Sequence, residues 1–205
     1  MKIPSFAALA LALGTAGFGA AALAETMCAT PDQAKQIQAF YKDKPGTMPV
    51  IAGRQLKLPE ALVASGLPAD QMAGTTGAAF ADVWAAIVEW KQPVFLITKD
   101  LNVFEILSPV GAATKSKTSE YTNIAYEHPL RGHLRPDLYA SIYAVALPTK
   151  EEGLVARGVL FYDANGASVF GAFVSGEGPT PTAGDIAGFD ALKAMIKKRP
   201  PACPA

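Results

Sequence analysis

Histidine and cysteine each occur only twice in 205 residues, which leaves few side chains for metal or nucleophilic chemistry. Neither charge sign is in excess, with 18 Lys and Arg against 18 Asp and Glu. No basic surplus exists to release counterions from a nucleic acid or to hold an anionic membrane, so neither is expected as a partner. Also missing are a glycine-rich phosphate loop, His-Glu-x-x-His, Gly-x-Ser-x-Gly and any Asp and Glu cluster at helical spacing. A serine-triad or zinc hydrolase would have to draw on one of the two histidines. His133 with Asp137 and a distant serine is one such arrangement, but no nucleophile turn supports it. With no acid, base and nucleophile set in view, the chain is expected not to be an enzyme. It has no internal repeat and no linker long enough to set off a second domain.

What is present begins with Lys2, an apolar run from Phe6 to Leu23, and Ala22-Leu23-Ala24 ahead of Glu25. This is the layout of a cleaved signal peptide over residues 1–24, predicting an exported, periplasmic chain of one domain over 25–205. No positive stop-transfer flank follows, so no stable membrane anchor is expected. Glu25-Thr26-Met27 before Cys28 do not suit lipoprotein cleavage. In an oxidising compartment Cys28 and Cys203 are most simply a disulfide joining the chain ends, stabilising by about 5 kcal/mol at most in the loop-entropy model. A metal site or a thiol attachment fits neither cysteine, since neither has a second Cys or a His close by in sequence.

Thr30-Pro31-Asp32 followed by Ile37, Phe40 and Tyr41 predicts a helix to Lys44. Met48 to Lys57 reads as a mixed stretch before a helix at Pro59–Ser65, and Gly74 to Ala79 as a flexible connector. Phe80, Val83, Trp84, Ile87 and Val88 mark a helix over Ala79–Trp90. Strands follow at Val94–Thr98 and Asn102–Leu107, joined by a Lys99-Asp100 turn, then a polar loop from Gly111 to Glu120 and a strand at Tyr121–Tyr126. Leu138–Leu147, Val155–Asp163 and Ser168–Val174 are further strands, the last two a hairpin through Asn165-Gly166. After a Gly176–Gly184 loop, Asp185–Lys198 is an amphipathic helix stopped by Pro200-Pro201. Helices, then a run of antiparallel strands, then a helix argue an α+β fold: N-terminal helices packed on a broad antiparallel sheet, with a C-terminal helix.

Both histidines and two arginines fall in one stretch, His128-Pro129-Leu130-Arg131-Gly132-His133-Leu134-Arg135-Pro136-Asp137. From spacing alone it reads as a turn in which His133 is a satisfied histidine, Arg135 and Asp137 a surface ion pair, and the nearby aromatics strand core. The chain also resembles the HutX/ChuX heme-utilisation carrier family between about Lys44 and Val174. The resemblance rests on Lys44-Pro45-Gly46, Leu58-Pro59-Glu60-Ala61, Phe80-Ala81-Asp82-Val83-Trp84, Phe104-Glu105-Ile106 with Pro109 and Gly111, and the Phe161–Phe170 hairpin. Above all it rests on Gly-His-Leu-Arg-x-Asp at 132–137, with Ile142 and Pro148 following.

The resemblance implies a HemS/ChuX-like fold and a heme or porphyrin ligand. His133 would be the axial donor to the heme iron, and Arg131 or Arg135 would pair with a propionate. Phe104, Ile106, Leu134, Tyr139 and Tyr143 would line the pocket. His128, a solvated loop residue first, would be a second donor only if its strand end folds back over the cavity. The alternative is a periplasmic module of the same fold that binds another small molecule or a protein partner. An enzyme reading would build a hydrolase or heme-degrading activity on His133. Exposed strand edges would allow a homodimer.

Overall fold

The computed structural model describes residues 27–99, 102–174 and 181–204. The expected signal peptide, Asp100 of the expected turn and most of the Gly176–Gly184 loop lie outside these. Helix α1 (Pro31–Asp43) starts as its sequence indicates: Thr30 and Gln33 form a reciprocal capping box, Pro31 opens the first turn, and Ile37 and Tyr41 are buried. The Met48–Lys57 stretch is not irregular. It holds α2 (Pro49–Leu56), opened by Pro49 and ended by Lys57 in the left-handed conformation at φ 56°. Helix α3 (Glu60–Ser65) follows.

The expected connector at Gly74 is a strand, β1 (Met72–Thr76), running into a 3-10 turn (Gly77–Ala79) and α4 (Phe80–Val88). At Gly74 it has no side chain because a large ring packs beside it. A Cβ on Gly74 would stand 2.3 Å from the Tyr143 ring. Strands β2 (Val94–Lys99) and β3 (Asn102–Leu107) are paired as expected. Three short strands follow, β4 (Ala113–Lys115), β5 (Thr122–Ile124) and β6 (His133–Leu134), with a 3-10 turn at Pro136–Leu138. The long strands β7 (Tyr139–Pro148), β8 (Val155–Asp163) and β9 (Ser168–Phe173) precede α5 (Ala183–Ile196), which Thr182 and Asp185 cap reciprocally.

The large sheet runs β1-β7-β8-β9-β2-β3, and all its pairings are antiparallel. Both of its faces are covered over the central strands β7, β8 and β9, while β3 is largely exposed. One side carries α4, α5 and the small β4-β5-β6 sheet, with Trp84 of α4 and Phe189 of α5 in one core with Tyr139, Ile142, Phe161 and Phe170 of the large sheet. The other carries α1 to α3 over Tyr143, Val145, Leu147, Leu160 and Tyr162. Strand β7 is therefore buried almost throughout, which its near-continuous apolar run requires. The α+β class with N-terminal helices, a broad antiparallel sheet and a C-terminal helix is the one expected.

The Cys28–Cys203 disulfide is present, with Cα atoms 5.6 Å apart. It holds the C-terminal segment along β1, where Thr75 bridges Pro201 and Ala202 N donates to Gly74 O at 3.2 Å. No helix among the described residues is long and apolar enough to cross a membrane.

Candidate functional site

The His-bearing stretch is built onto the end of β3 by buried polar contacts. Ser108 Oγ accepts from Leu130 N at 3.4 Å, Val110 bridges Leu130, and Trp84 Nε1 donates to Gly111 O at 3.0 Å. The alternation of β5 and β6 then sorts the side chains. Thr122 and Ile124 are buried and Leu134 packs against the core, so Asn123 and His133, which are cross-strand partners, face outward together.

On that outward face His133 Nδ1 lies 2.7 Å from Asn123 Oδ1. With the amide oxygen placed toward the ring it can only accept, so Nδ1 carries the hydrogen, and in the neutral ring the lone pair is then on Nε2. The Tyr121 ring packs edge-on against the imidazole at 5.8 Å. Arg135 sits 6.0 Å from the Tyr121 ring and is gripped by Asp137 through Nε at 2.9 Å and Nη2 at 2.6 Å. That hydrogen bond holds the Asp137 carboxyl below, and the Arg135 guanidinium above, their ordinary values. Arg131 lies over the Tyr126 ring at 5.7 Å, and no carboxylate among the described residues pairs with it.

The structure brings His133, Arg135 and Asp137 together and adds Tyr121 and Asn123, which sequence reasoning missed. Their signal is a cross-strand register that no local spacing displays. His128 is half-buried in the turn between β5 and β6. The rest of the expected pocket lining is dispersed, and four placements need correction. Tyr139 is 7% exposed, its ring packed among Phe80, Phe161 and Phe170. Tyr143 is 1% exposed on the opposite face of the large sheet, its Oη 3.3 Å from Cys203 Sγ. A bulge between Tyr139 and Ser141 shifts the alternation so that the two tyrosines part. Leu134 turns inward to the core. Phe104 stands on edge strand β3, 55% exposed.

Among the described residues no group of three or more His, Cys, Asp or Glu is placed to hold a metal ion directly. A model of the family described as Haem utilisation ChuX/HutX matches residues 74–192. The chain belongs to the ChuX/HutX family. The match takes in the small sheet, the large sheet from Gly74 onward and most of α5.

Solved structures agree on the fold. A protein from Agrobacterium tumefaciens, AGR_C_4470, is 23% identical with a TM-score of 0.68, over 80% of this chain and 92% of its own. The heme-binding protein ChuX is 19% identical at a TM-score of 0.68, over 78% of this chain and 99% of its own. The Escherichia coli heme oxygenase ChuS is 13% identical at 0.59, over 81% of this chain and 50% of its own. No curated protein matches the chain.

The last structure corrects the expectation of a non-enzyme. A heme oxygenase shares this fold, so the fold does not separate binder from catalyst. The missing acid, base and nucleophile set carries no weight either, because in heme enzymes the prosthetic group supplies the reactive chemistry.

Proposed function

We propose that this ChuX/HutX chain binds heme or a related porphyrin on the outward face of its small sheet, with His133 Nε2 as donor to the iron. The observation that carries this reading is the 2.7 Å contact between His133 Nδ1 and Asn123 Oδ1. An imidazole that ligates iron is held in one tautomer by a hydrogen bond from its other nitrogen, which leaves a neutral ring with a fixed lone pair. Family membership supplies the ligand class.

The surroundings fit a flat anionic ligand. Arg131 is the propionate partner, because Arg135 is already engaged by Asp137. Tyr121, 45% exposed, and Tyr126 offer ring faces beside these cations. At Gly132 a Cβ would meet nothing within 4 Å, so the backbone next to His133 is open to close approach. When bound, heme would supply the iron. The chain's own residues fix the imidazole and neutralise a carboxylate.

Carriage outside the cytoplasm belongs to the same proposal. The apolar N-terminal run ending in Ala22-Leu23-Ala24 and the Cys28–Cys203 disulfide support it. So does pairing of two copies through β3. Opposite edge β1 is covered by the C-terminal segment, while β3 has no neighbour beyond it among the described residues and presents Val103, Phe104 and Leu107. Equal sedimentation of the protein and its Phe104→Glu variant would rule that edge out.

Adding hemin to the purified protein tests the main reading. A saturable Soret shift is expected, moved or abolished in His133→Ala. A spectrum insensitive to both His133 and His128 would sink it.

A further inference from the structure

A groove of about 870 Å³ runs between α4 and α5, within the size range of small-molecule sites. It shares no residue with the outward face of the small sheet. Small side chains open it: Ala85 and Ala86 on α4, with Gly184, Gly188 and Ala191 on α5. Trp90 and Leu192 also line it and are buried, so they form its floor.

The decisive feature is Trp90. The residue is 4% exposed, yet its Nε1–H finds no acceptor among the described residues. A Cβ on Gly188 would stand 3.4 Å from that nitrogen, so the donor edge of the indole faces the part of α5 that lacks a side chain. The other tryptophan, Trp84, shows the ordinary solution, its Nε1–H satisfied by Gly111 O at 3.0 Å. Tyr41 Oη, Ser141 Oγ and Tyr162 Oη are also buried without a partner among the described residues, but of the four only Trp90 lines this groove, where an acceptor brought in from outside would relieve the cost of the unpaired donor.

The rim does not select an ion. Arg199 is paired with Asp82 at 2.8 Å, Asp185 is engaged by Thr182 in the helix cap, and Lys91 and Glu89 offset each other in sign. We propose that this groove is a second binding site, for a neutral, largely apolar small molecule whose carbonyl or comparable oxygen accepts from Trp90 Nε1–H. It is independent of the heme reading.

Prodan, a neutral naphthyl ketone whose emission reports polarity and hydrogen bonding at its carbonyl, is a suitable probe for the whole protein. Saturable, one-to-one binding with blue-shifted emission is expected. Gly188→Leu, which fills the groove, abolishes it, and Trp90→Phe, which keeps an aromatic ring and removes the donor, weakens it about tenfold. Thermal unfolding and far-ultraviolet circular dichroism of each variant confirm that the fold survives. If Gly188→Leu fails to fold, Trp90→Phe decides alone. Binding that does not saturate, or an affinity unchanged in Trp90→Phe, overturns the proposal.

Discussion

Asn123 reaches the proposed iron donor without touching the ligand. Removing its amide frees the His133 ring to rotate and to change tautomer, so Asn123→Ala is expected to weaken hemin binding by roughly 10–100-fold. The small sheet stays folded, since Asn123 faces outward. A hemin titration read at the Soret band checks this, and an unchanged affinity would mean that the bond does not orient a ligand. The buried tyrosines set a different limit. Burial pushes the phenols of Tyr139 and Tyr143 from 10.0 up to about 12. Their folded values lie above their unfolded ones, so the stability they contribute is complete below the ordinary value and is lost as pH rises through the folded one. Alkaline unfolding is therefore expected between about pH 10 and pH 12. It is followed by tyrosinate absorbance and far-ultraviolet circular dichroism together. Tyrosinate formation well below that window with the fold intact would contradict the burial.

The turn from β1 into α4 is held by contact between backbones. A Cβ on Gly77 would stand 1.8 Å from Tyr139 O on β7, so any side chain there pushes the 3-10 turn away from the strand. Gly77→Ala is expected to destabilise by about 1–3 kcal/mol or more, as overpacking against an immovable backbone does. Gly132→Ala, where the added atom meets nothing within 4 Å, is expected to stay within about 0.5 kcal/mol. Urea unfolding of the two variants measures the contrast, and equal midpoints would refute it. The two glycines thus have different reasons to be there. One makes room for the strand that leads away from the candidate site, the other leaves space beside His133.

Across the whole molecule, the large sheet is pinned between two helical layers and its β1 edge is closed by the disulfide-tethered C-terminal segment. The bridge spans a sequence separation of 175, so the loop entropy it removes from the unfolded chain is near the top of the usual range. Reduction, or the Cys28→Ser and Cys203→Ser pair, is expected to cost about 2–5 kcal/mol. Thermal unfolding with and without reductant checks it. Because the tether lies on the opposite side of the sheet from His133, hemin binding by the reduced but folded protein should remain. Loss of binding before unfolding would show that the two are coupled.

Much of this was legible in the chain itself. Helical periodicity located α1, α4 and α5, alternation located β2, β3, β7, β8 and β9, and two cysteines at opposite ends indicated the bridge, because these signals are local or leave few alternatives. Gly-His-Leu-Arg-x-Asp marked the stretch that carries His133, Arg135 and Asp137. Other features depended on the fold. Helix α2 is too short to show a period, and β1 has at its centre a glycine whose place is set by the Tyr143 ring of β7. Asn123 and Tyr121 meet His133 only through the register of β5 and β6. Tyr139 and Tyr143, four residues apart on one strand, part only because a bulge shifts the alternation. Pairings across many residues, and the choice of face on a doubly covered sheet, are settled by packing after the chain has folded, so no local pattern could have displayed them.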